Sequence, residues 1–225
     1  MPDDVFIIIP CYNESAVIRQ TVKQLLPLGH QLIIVDDGSI ESPWPQLQDL
    51  PVHFLSHPVN LGQGAALQTG MDYAKAKHAR AVIHFDADGQ HDAGDIPRFL
   101  AALDDGADVV IGSRFLRPED VKRIPVTKRW LLQAARIVNG LFTRVWLSDA
   151  HNGFRALNRK ALDRIRLAEN RMAHATEIIA QIRTHRLVIR ELPTAIGYSD
   201  YARAKGQKWY HAFNILIDLI LNKIL

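Results

Sequence analysis

The sequence has 225 residues, enough for one large domain with a full hydrophobic core. Its hydrophobic fraction of 48% and charged fraction of 23% are typical of soluble globular proteins, and a net charge of only +3 argues against binding nucleic acid through bulk charge. The single cysteine, Cys11, excludes an intramolecular disulfide. The sequence contains no apolar run of about 18 residues and no signal-peptide pattern, so we expect a cytoplasmic protein without a membrane-spanning segment.

The first half of the chain alternates between strand patterns and helix patterns. Continuous apolar runs predict buried strands, and apolar residues three or four apart predict helices. In chain order, the patterns predict a strand at 5–10, a helix at 14–26, strands at 31–37 and 52–57, a helix at 62–77, a strand at 81–88, a helix at 96–103 and a strand at 108–115. Buried strands separated by helices indicate an α/β fold with a mostly parallel central sheet flanked by helices.

The second half is less regular. It predicts a helix at 128–146, a loop at 149–158 that enters a short strand, a helix at 175–185, a strand at 186–196 and a polar loop at 197–209. No linker divides the chain, so we predict one catalytic domain at 1–208 followed by a separate helix at 209–225.

Polar residues follow four of the predicted strands directly. The stretches are PCYNE after the first strand, DDGS after the second, DADGQ after the fourth and GSR after the fifth. In open α/β sheets, ligands bind in the crevice outside the carboxyl ends of the strands. One such ending is a turn signal, but four of them indicate a binding site.

The stretch DADGQ is a candidate metal site. Asp86, Asp88 and Gln90 alternate, so in an extended segment their side chains would point to one face. Hard oxygen ligands suit Mg²⁺ or Mn²⁺, with phosphate oxygens and water completing the shell. The alternative is an aspartate-rich turn that leads into the next helix.

The stretches DDGS and PCYNE each have two interpretations. Asp36 and Asp37 are common turn formers, or they accept hydrogen bonds from a nucleobase or a ribose. PCYNE is either a helix start capped by Asn13 or a stretch that places Tyr12 against a base and Glu14 on a ribose hydroxyl.

Together these motifs resemble a known family. IIIPCYNE, IIVDDGS, NLGQGAALQTG, FDADGQ and VIGSRF follow one another as in the inverting nucleotide-sugar glycosyltransferases of family 2, which have the GT-A fold. The likeness is greatest to dolichyl-phosphate mannose synthase and the bacterial polyprenyl-phosphate glycosyltransferases. It continues through SDAHNGFRALN, ATEI, ELPTAI and ARAKGQKW, and so covers nearly the whole chain.

The resemblance implies an activity. A hexose would pass from a UDP- or GDP-linked donor to a polyprenyl phosphate, such as undecaprenyl or dolichyl phosphate, with Mg²⁺ or Mn²⁺ as cofactor. The implied nucleotide pocket consists of Pro10, Tyr12, Glu14, Asp36, Asp37 and Asp86. The implied ligands of the metal and diphosphate are Asp86, Asp88 and Gln90.

The resemblance also implies residues on the acceptor side. Arg114 would approach the acceptor phosphate. Asp149, Asn152 and Arg155 match the family's D-x-x-[ST]-G-F-R loop, in which Asn152 replaces the usual Ser or Thr. Arg203 and Lys208 match the family's basic loop, which closes over the phosphates. Glu177 matches a position that is usually acidic in the family. Glu177 could alternatively orient an arginine, and the basic loop could be merely solvated.

The acceptor determines whether a general base is required. A phosphate monoester has its second pKa near about 6 and is already nucleophilic at pH 7, so it needs cations such as Arg114, Arg155 and Arg203 to position it. A saccharide hydroxyl would need a carboxylate base, and Glu177 or Asp149 would be the candidates. Transfer to a saccharide in cell-surface polysaccharide synthesis is therefore one alternative.

Two further functions remain open. A non-catalytic subunit that binds a nucleotide sugar would bind donor without releasing nucleotide, and the intact DADGQ and GSR stretches count against it. A nucleotidyltransferase would also use an α/β fold, but it would carry a glycine-rich, basic phosphate loop near the amino terminus. This sequence has no such stretch there, which counts against that function.

The segment at 209–225 has the pattern of a strongly apolar amphipathic helix with an aromatic start. It is shorter than the roughly 20 residues needed to span a membrane. We expect it to lie on the membrane surface or to dock onto a small integral membrane subunit, and the alternative is packing on the domain's own core. The protein would then be peripheral on the inner face of the cell membrane.

Overall fold

The computed structural model describes residues 4–116, 130, 133, 136–137, 140–141, 143–150 and 152–194. The predicted basic loop and the predicted helix at 209–225 lie outside these residues. The described strands are β1 (Val5–Cys11), β2 (Gln31–Asp36), β3 (His53–Ser56), β4 (Ala81–His84), β5 (Val109–Ser113), β6 (Arg155–Asn158) and β7 (Ile189–Pro193). The described helices are α1 (Ile18–Leu25), α2 (Gln63–Ala76), α3 (Ile96–Asp104), α4 (Arg159–Arg164) and α5 (His174–Thr184). None of these helices is long and apolar enough to cross a membrane.

The strands of the described region form one seven-stranded sheet in the order β3-β2-β1-β4-β6-β5-β7. Every pair is parallel except those of β6, which runs antiparallel to both β4 and β5. The predicted mostly parallel sheet is confirmed. Because β6 is reversed, its first residue, Arg155, lies opposite His84 of β4 and Ile111 of β5, close to the ends of those strands.

Helices cover both faces of the sheet, which explains why the strands are apolar on both sides. The core between the sheet and helices α1 and α3 includes Ile7, Ile9, Phe85, Phe99 and Phe154. The core between the sheet and helices α2, α4 and α5 includes Ile8, Val82, Leu157 and Ile179. Gly70 lets α2 approach β1 closely, because a Cβ there would lie 2.4 Å from a methyl carbon of Ile8.

The element boundaries differ from the prediction at two places near the site. Helix α1 begins at Ile18 rather than at residue 14, and the turn before it is held by hydrogen bonds that Glu14 O accepts from Val17 N and Ile18 N, both at 3.0 Å. Strand β4 ends at His84 rather than at residue 88, and the chain turns through Gly89, whose φ is +69°. The short helix α4, which Asn158 caps, was not predicted.

Asp108 joins the beginnings of β5 and β7 to α4 at the edge of the sheet opposite the site. Its carboxylate accepts hydrogen bonds from Asn158 Nδ2 (3.0 Å), Lys160 Nζ (2.6 Å) and Val188 N (2.8 Å). Burial acts to raise the pKa of Asp108, but these donors and the Lys160 charge outweigh it, so the pKa lies below its ordinary value.

We expect Asp108→Ala to lower the free energy of unfolding by about 2 kcal/mol at pH 7, because it removes the hydrogen bonds that this buried carboxylate accepts from Asn158, Lys160 and Val188. A depressed carboxyl pKa stabilises the fold above the unfolded-state pKa, and this stabilisation is lost as pH falls through the folded-state pKa. The difference between wild type and variant should therefore shrink below about pH 4. Urea unfolding across this pH range measures it, and a difference that is constant with pH would contradict the assignment.

Candidate functional site

Most of the predicted site residues that the structure describes lie at one edge of the sheet, where β1, β2, β4 and β5 end and β6 begins. Pro10 is the second-to-last residue of β1, and Asp36 is the last residue of β2. Asp86 follows β4 by two residues, Arg114 follows β5 directly and Arg155 opens β6. These residues therefore lie at the carboxyl ends of the strands, where open α/β sheets bind their ligands.

Asp86 is held firmly at this edge but remains open to solvent. Gln63 Nε2 donates to its Oδ1 at 3.0 Å, and His91 Nε2 donates to its Oδ2 at 3.0 Å. The backbone of Gly153 lies so close that a Cβ there would come within 2.6 Å of Oδ2. The side chain of Asp86 is nevertheless 30% exposed, so an oriented carboxylate faces the crevice.

The environments of Asp86 and Asp88 move their pKa values in opposite directions. Burial acts to raise the pKa of Asp86, but the hydrogen bond from His91 and nearby positive charges, including that of Arg155, lower it below its ordinary value. Burial and the charge of Asp86 raise the pKa of Asp88, against the hydrogen bonds that Gln90 donates. The two carboxylates therefore repel each other, and a divalent cation between them would relieve that repulsion.

The Asp86 and Asp88 pair fits Mg²⁺ or Mn²⁺ by donor chemistry, since these ions prefer carboxylate oxygens. The alternation argument does not hold, because the chain has already turned after His84. Gln90 instead donates to Asp88, from N to Oδ1 at 3.0 Å and from Nε2 to Oδ2 at 2.5 Å. No group of three or more His, Cys, Asp or Glu in the described residues is placed to hold a metal ion. Substrate phosphate and water would have to complete the shell.

Asp37 organises the loop that leads into α2. Its carboxylate accepts hydrogen bonds from four protein donors: His57 Nδ1 (2.7 Å), Leu61 N (3.0 Å), Asn60 Nδ2 (3.1 Å) and Gly62 N (2.7 Å). The residue is buried. The loop it holds carries Gln63 to Asp86, so Asp37 acts on the site through that loop, and its predicted contact with a nucleotide stays a prediction.

Asn13 links the loop after β1 to the loop after β2. Its N donates to Ser39 Oγ at 2.8 Å, and its Oδ1 accepts from Ile40 N at 2.9 Å. Asn13 has a φ of +54°, a conformation that asparagine tolerates better than most residues. Asp36 Oδ1 also accepts a hydrogen bond from Ser39 N at 3.1 Å. The joined loops leave Tyr12 43% exposed beside the crevice, as a nucleobase platform requires.

Arg114 and Asp149 form a bidentate ion pair on the other side of the crevice. Arg114 Nε lies 2.5 Å from Oδ2 and Nη2 lies 2.6 Å from Oδ1. Glu191 of β7 holds the loop behind this pair, since it accepts from Ser148 N (2.8 Å), Ser148 Oγ (2.6 Å) and Asp149 N (3.3 Å). The arginine is thereby fixed at the end of β5, where it can bind an anion.

A buried polar pair lies beneath these carboxylates. Arg155 is 1% exposed, and its Nε and Nη1 have no hydrogen-bond partner. Burial lowers the pKa of Arg155 to about 10, while Asp86 and Asp149 act to raise it. Burial also lowers the pKa of the neighbouring His84 to about 3, with a contribution from Arg155. At neutral pH, His84 is therefore neutral and Arg155 supplies the positive charge below Asp86 and Asp149.

Five further residues were predicted for the site, namely Pro10, Glu14, Glu177, Arg203 and Lys208. Pro10 and Glu14 are half-buried at the end of β1 and in the turn after it. Arg203 and Lys208 lie outside the described residues, so their closure over phosphate stays a prediction. Among the described residues, Glu177 at the start of α5 accepts its hydrogen bonds from backbone amides and an amide side chain, and none from an arginine. It accepts from Ala168 N (3.0 Å), Glu169 N (3.0 Å) and Gln181 Nε2 (3.2 Å).

The loop that Glu177 holds packs against the start of α2. Gly64 N donates to Asn170 O at 2.8 Å, and a Cβ at Gly64 would lie 2.0 Å from Glu169 O. Glu177 is therefore connected to Asp86 through this loop and Gln63, and its predicted catalytic role stays a prediction.

We expect Glu177→Gln to lower the free energy of unfolding by about 1–2 kcal/mol, because a neutral amide accepts weaker hydrogen bonds from the backbone. Its kcat should fall by less than about tenfold, whereas loss of a general base would cost about a hundredfold or more. Urea unfolding and steady-state kinetics on the same preparation measure both. A hundredfold loss of kcat with unchanged stability would make Glu177 a base.

Three residues that shape the site were not singled out from the sequence. His57 and Gln63 reach Asp37 and Asp86, and Glu191 supports Asp149. Gln63 and Glu191 lie within the NLGQG and ELPTAI stretches, but their partners are more than twenty residues away in the sequence. Nothing local distinguishes them from solvated polar residues.

Comparison with known proteins agrees with this geometry. Residues 6–166 match Glycosyl transferase family 2. An uncharacterised protein of Methanocaldococcus jannaschii is 31% identical over 99% of this chain and 93% of its own length. The UDP-N-acetylglucosamine–dolichyl-phosphate N-acetylglucosaminyltransferase of Methanococcus voltae is 28% identical over 98% of this chain and 96% of its own length. Polyprenol monophosphomannose synthase of Mycolicibacterium smegmatis is 31% identical over 72% of this chain and 64% of its own length.

A solved structure has the same fold. Glucosyl-3-phosphoglycerate synthase from Mycobacterium tuberculosis, in complex with Mn²⁺, UDP and phosphoglyceric acid, superposes with a TM-score of 0.69 at 18% identity, covering 96% of this chain and 77% of that one. The predicted GT-A fold is confirmed. With its sheet, its polar edge and the match over residues 6–166, the chain belongs to glycosyl transferase family 2 and is a glycosyltransferase.

Proposed function

We propose that the protein transfers a single sugar from a UDP- or GDP-linked donor to a polyprenyl phosphate, in a reaction that depends on Mg²⁺ or Mn²⁺. One observation carries the choice of acceptor. The two carboxylates that could activate a hydroxyl are engaged elsewhere, Asp149 by Arg114 and Glu177 by backbone amides. A phosphate acceptor needs no base but does need a fixed cation, and Arg114 is one.

The relatives support a lipid acceptor. The Methanococcus voltae protein is named for transfer to dolichyl phosphate, and the Mycolicibacterium smegmatis protein for synthesis of a polyprenol monophosphomannose. Both acceptors present a phosphate on a long isoprenoid chain. A protein that uses such an acceptor works at a membrane, so we place this one on the cytoplasmic membrane face.

The residues divide the work between two sides of the crevice. On the donor side, Asp86 and Asp88 would hold the divalent cation, which stabilises the negative charge that develops on the departing nucleotide diphosphate. Arg155 keeps Asp86 ionised from below. On the acceptor side, Arg114 positions a phosphate that is already ionised at pH 7. Its oxygen bonds to the anomeric carbon as the bond to the diphosphate breaks, so direct displacement inverts the configuration.

Transfer to a saccharide hydroxyl is the second candidate. It would require Asp149 to leave Arg114, or Glu177 to leave the amides of residues 168 and 169. Their present contacts favour neither movement. Acceptor dependence of the reaction separates the two functions directly.

The test is nucleotide release with Mn²⁺ or Mg²⁺ from a panel of UDP- and GDP-sugars, with and without short-chain polyprenyl phosphate. We expect release that requires both the metal and the lipid phosphate, and the active donor identifies base and sugar. Release only with a saccharide acceptor would establish the alternative. Donor binding without release under every condition would contradict both and indicate a non-catalytic subunit.

A further inference from the structure

His91 follows the DADGQ stretch directly and lies among aromatic rings. Its ring stacks on that of Phe154, with centroids 5.2 Å apart and planes 28° apart. It meets the ring of Phe85 edge-on, with centroids 5.5 Å apart. Phe154 stacks in turn on Phe99 of α3, at 4.3 Å. His91 is only 6% exposed, so a polar imidazole is buried in a cluster of phenylalanines.

Within the described part of the chain, the ring of His91 makes one hydrogen bond, and its partner is Asp86. Nε2 donates to Oδ2 at 3.0 Å, whereas Nδ1 is buried and has no partner there. Burying a polar atom without a hydrogen bond costs free energy. A phenylalanine at this position would keep the ring contacts without that cost. Packing therefore does not account for a histidine here, whereas the hydrogen bond to Asp86 does.

The carboxylate of Asp86 is fixed by segments that are far apart in the sequence. Gln63 donates to Oδ1, His91 donates to Oδ2, and the backbone of Gly153 lies against Oδ2. The side chain of Asp86 stays 30% exposed, so a cation can reach the lone pairs that these two donors leave free. Donors to a ligating carboxylate set its direction, and the loss of one commonly lowers metal affinity or activity about 10- to 100-fold.

We propose that His91 is a positioning residue, which orients the carboxylate of Asp86 toward the divalent cation. This inference rests on the proposed function, in which Asp86 takes part in holding that cation. The stack on Phe154 gives the same ring a second effect, because Phe154 directly follows Gly153 in the chain. One side chain thus fixes both the carboxylate and the backbone that lies against it.

Two substitutions separate the hydrogen bond of His91 from its ring packing. His91→Phe keeps the aromatic contacts and removes the donor, so it should unfold in urea at the wild-type concentration or higher but bind Mn²⁺ at least about tenfold more weakly. His91→Gln keeps an N–H donor and removes the ring, so it should be less stable but bind Mn²⁺ within about threefold of wild type. Electron paramagnetic resonance of free Mn²⁺, during titration of the full chain alone and with UDP or GDP, measures the affinity.

The Mn²⁺ titration needs no acceptor, so it separates this inference from the proposed function. Wild-type affinity in His91→Phe, or the same loss of affinity in both variants, would overturn the positioning role and leave lipid-dependent transfer intact. Weak binding by His91→Phe alone, without lipid-dependent nucleotide release by wild type, would support the positioning role and overturn the proposed acceptor. If the wild-type chain binds no Mn²⁺ even with UDP or GDP, both the positioning role and the metal dependence are overturned.

Discussion

Asp88→Ala should lower metal-dependent transfer by at least about a thousandfold while the protein stays folded. Asp88 supplies one of the two carboxylates proposed to hold the metal, and the described residues contain no group of three or more His, Cys, Asp or Glu that could hold it instead. Burial and the charge of Asp86 already raise the pKa of Asp88, so removing it relieves repulsion and should not destabilise the fold. Nucleotide release over a range of Mn²⁺ concentrations, with thermal unfolding of the same sample, measures both effects.

Asp92→Ala is the matched control for this variant. Asp92 lies four residues further on, is exposed and only accepts a hydrogen bond from Gly94 N at 2.8 Å. Its activity should stay within about tenfold of wild type. Full turnover by Asp88→Ala, or equal losses in the two variants, would refute the metal assignment.

Arg155→Met should separate activity from stability. The guanidinium is fully buried, and its Nε and Nη1 make no hydrogen bonds, so an apolar side chain of similar length should leave the free energy of unfolding unchanged or higher. Activity should fall by about a hundredfold, because the positive charge below Asp86 and Asp149 is lost. Urea unfolding and kcat/KM, measured together, test the two halves of this prediction.

Arg155→Lys serves as its control, since it keeps the charge and loses only the planar shape. It should recover at least half of the lost activation free energy. A methionine variant that is both unstable and inactive would mean that Arg155 supports the fold alone, and one that is stable and fully active would remove Arg155 from the mechanism.

The sequence predicted that these polar residues lie at one end of the sheet, because that placement depends on local patterns. Apolar runs identify strands, and in a parallel sheet every strand ends at the same edge. Asp36, Asp86 and Arg114 each follow such a run directly, so they had to come together. The direction of β6 was not predictable in this way, because its pairing with β4 and β5 joins segments far apart in the chain.

The roles of individual carboxylates were harder to predict than their location. Asp37 and Glu177 were singled out as functional, and both lie near the site, yet backbone amides occupy their oxygens. A carboxylate in a loop can accept hydrogen bonds from a ligand or from backbone N–H groups equally well. Which of the two it does depends on the groups that the fold brings next to it. Asp108 and Glu191 were not singled out, yet each accepts several hydrogen bonds from groups far away in the sequence. Nothing in the sequence connects these carboxylates with their partners.

The reversed strand β6 has a consequence for how enzymes of this architecture diversify. In the described sheet, β4 and β5 are not neighbours, and β6 alone joins the donor-binding strands to the pair β5–β7. Arg114 directly follows β5 and Glu191 lies in β7, on the side of the site where we propose that the acceptor binds. The two portions of the sheet therefore meet across the backbone hydrogen bonds of β6, and Arg155 is the side chain of that strand whose charge reaches both Asp86 and Asp149. Side chains on β5 and β7 that do not contact Arg155 can therefore change while Asp86 keeps its environment.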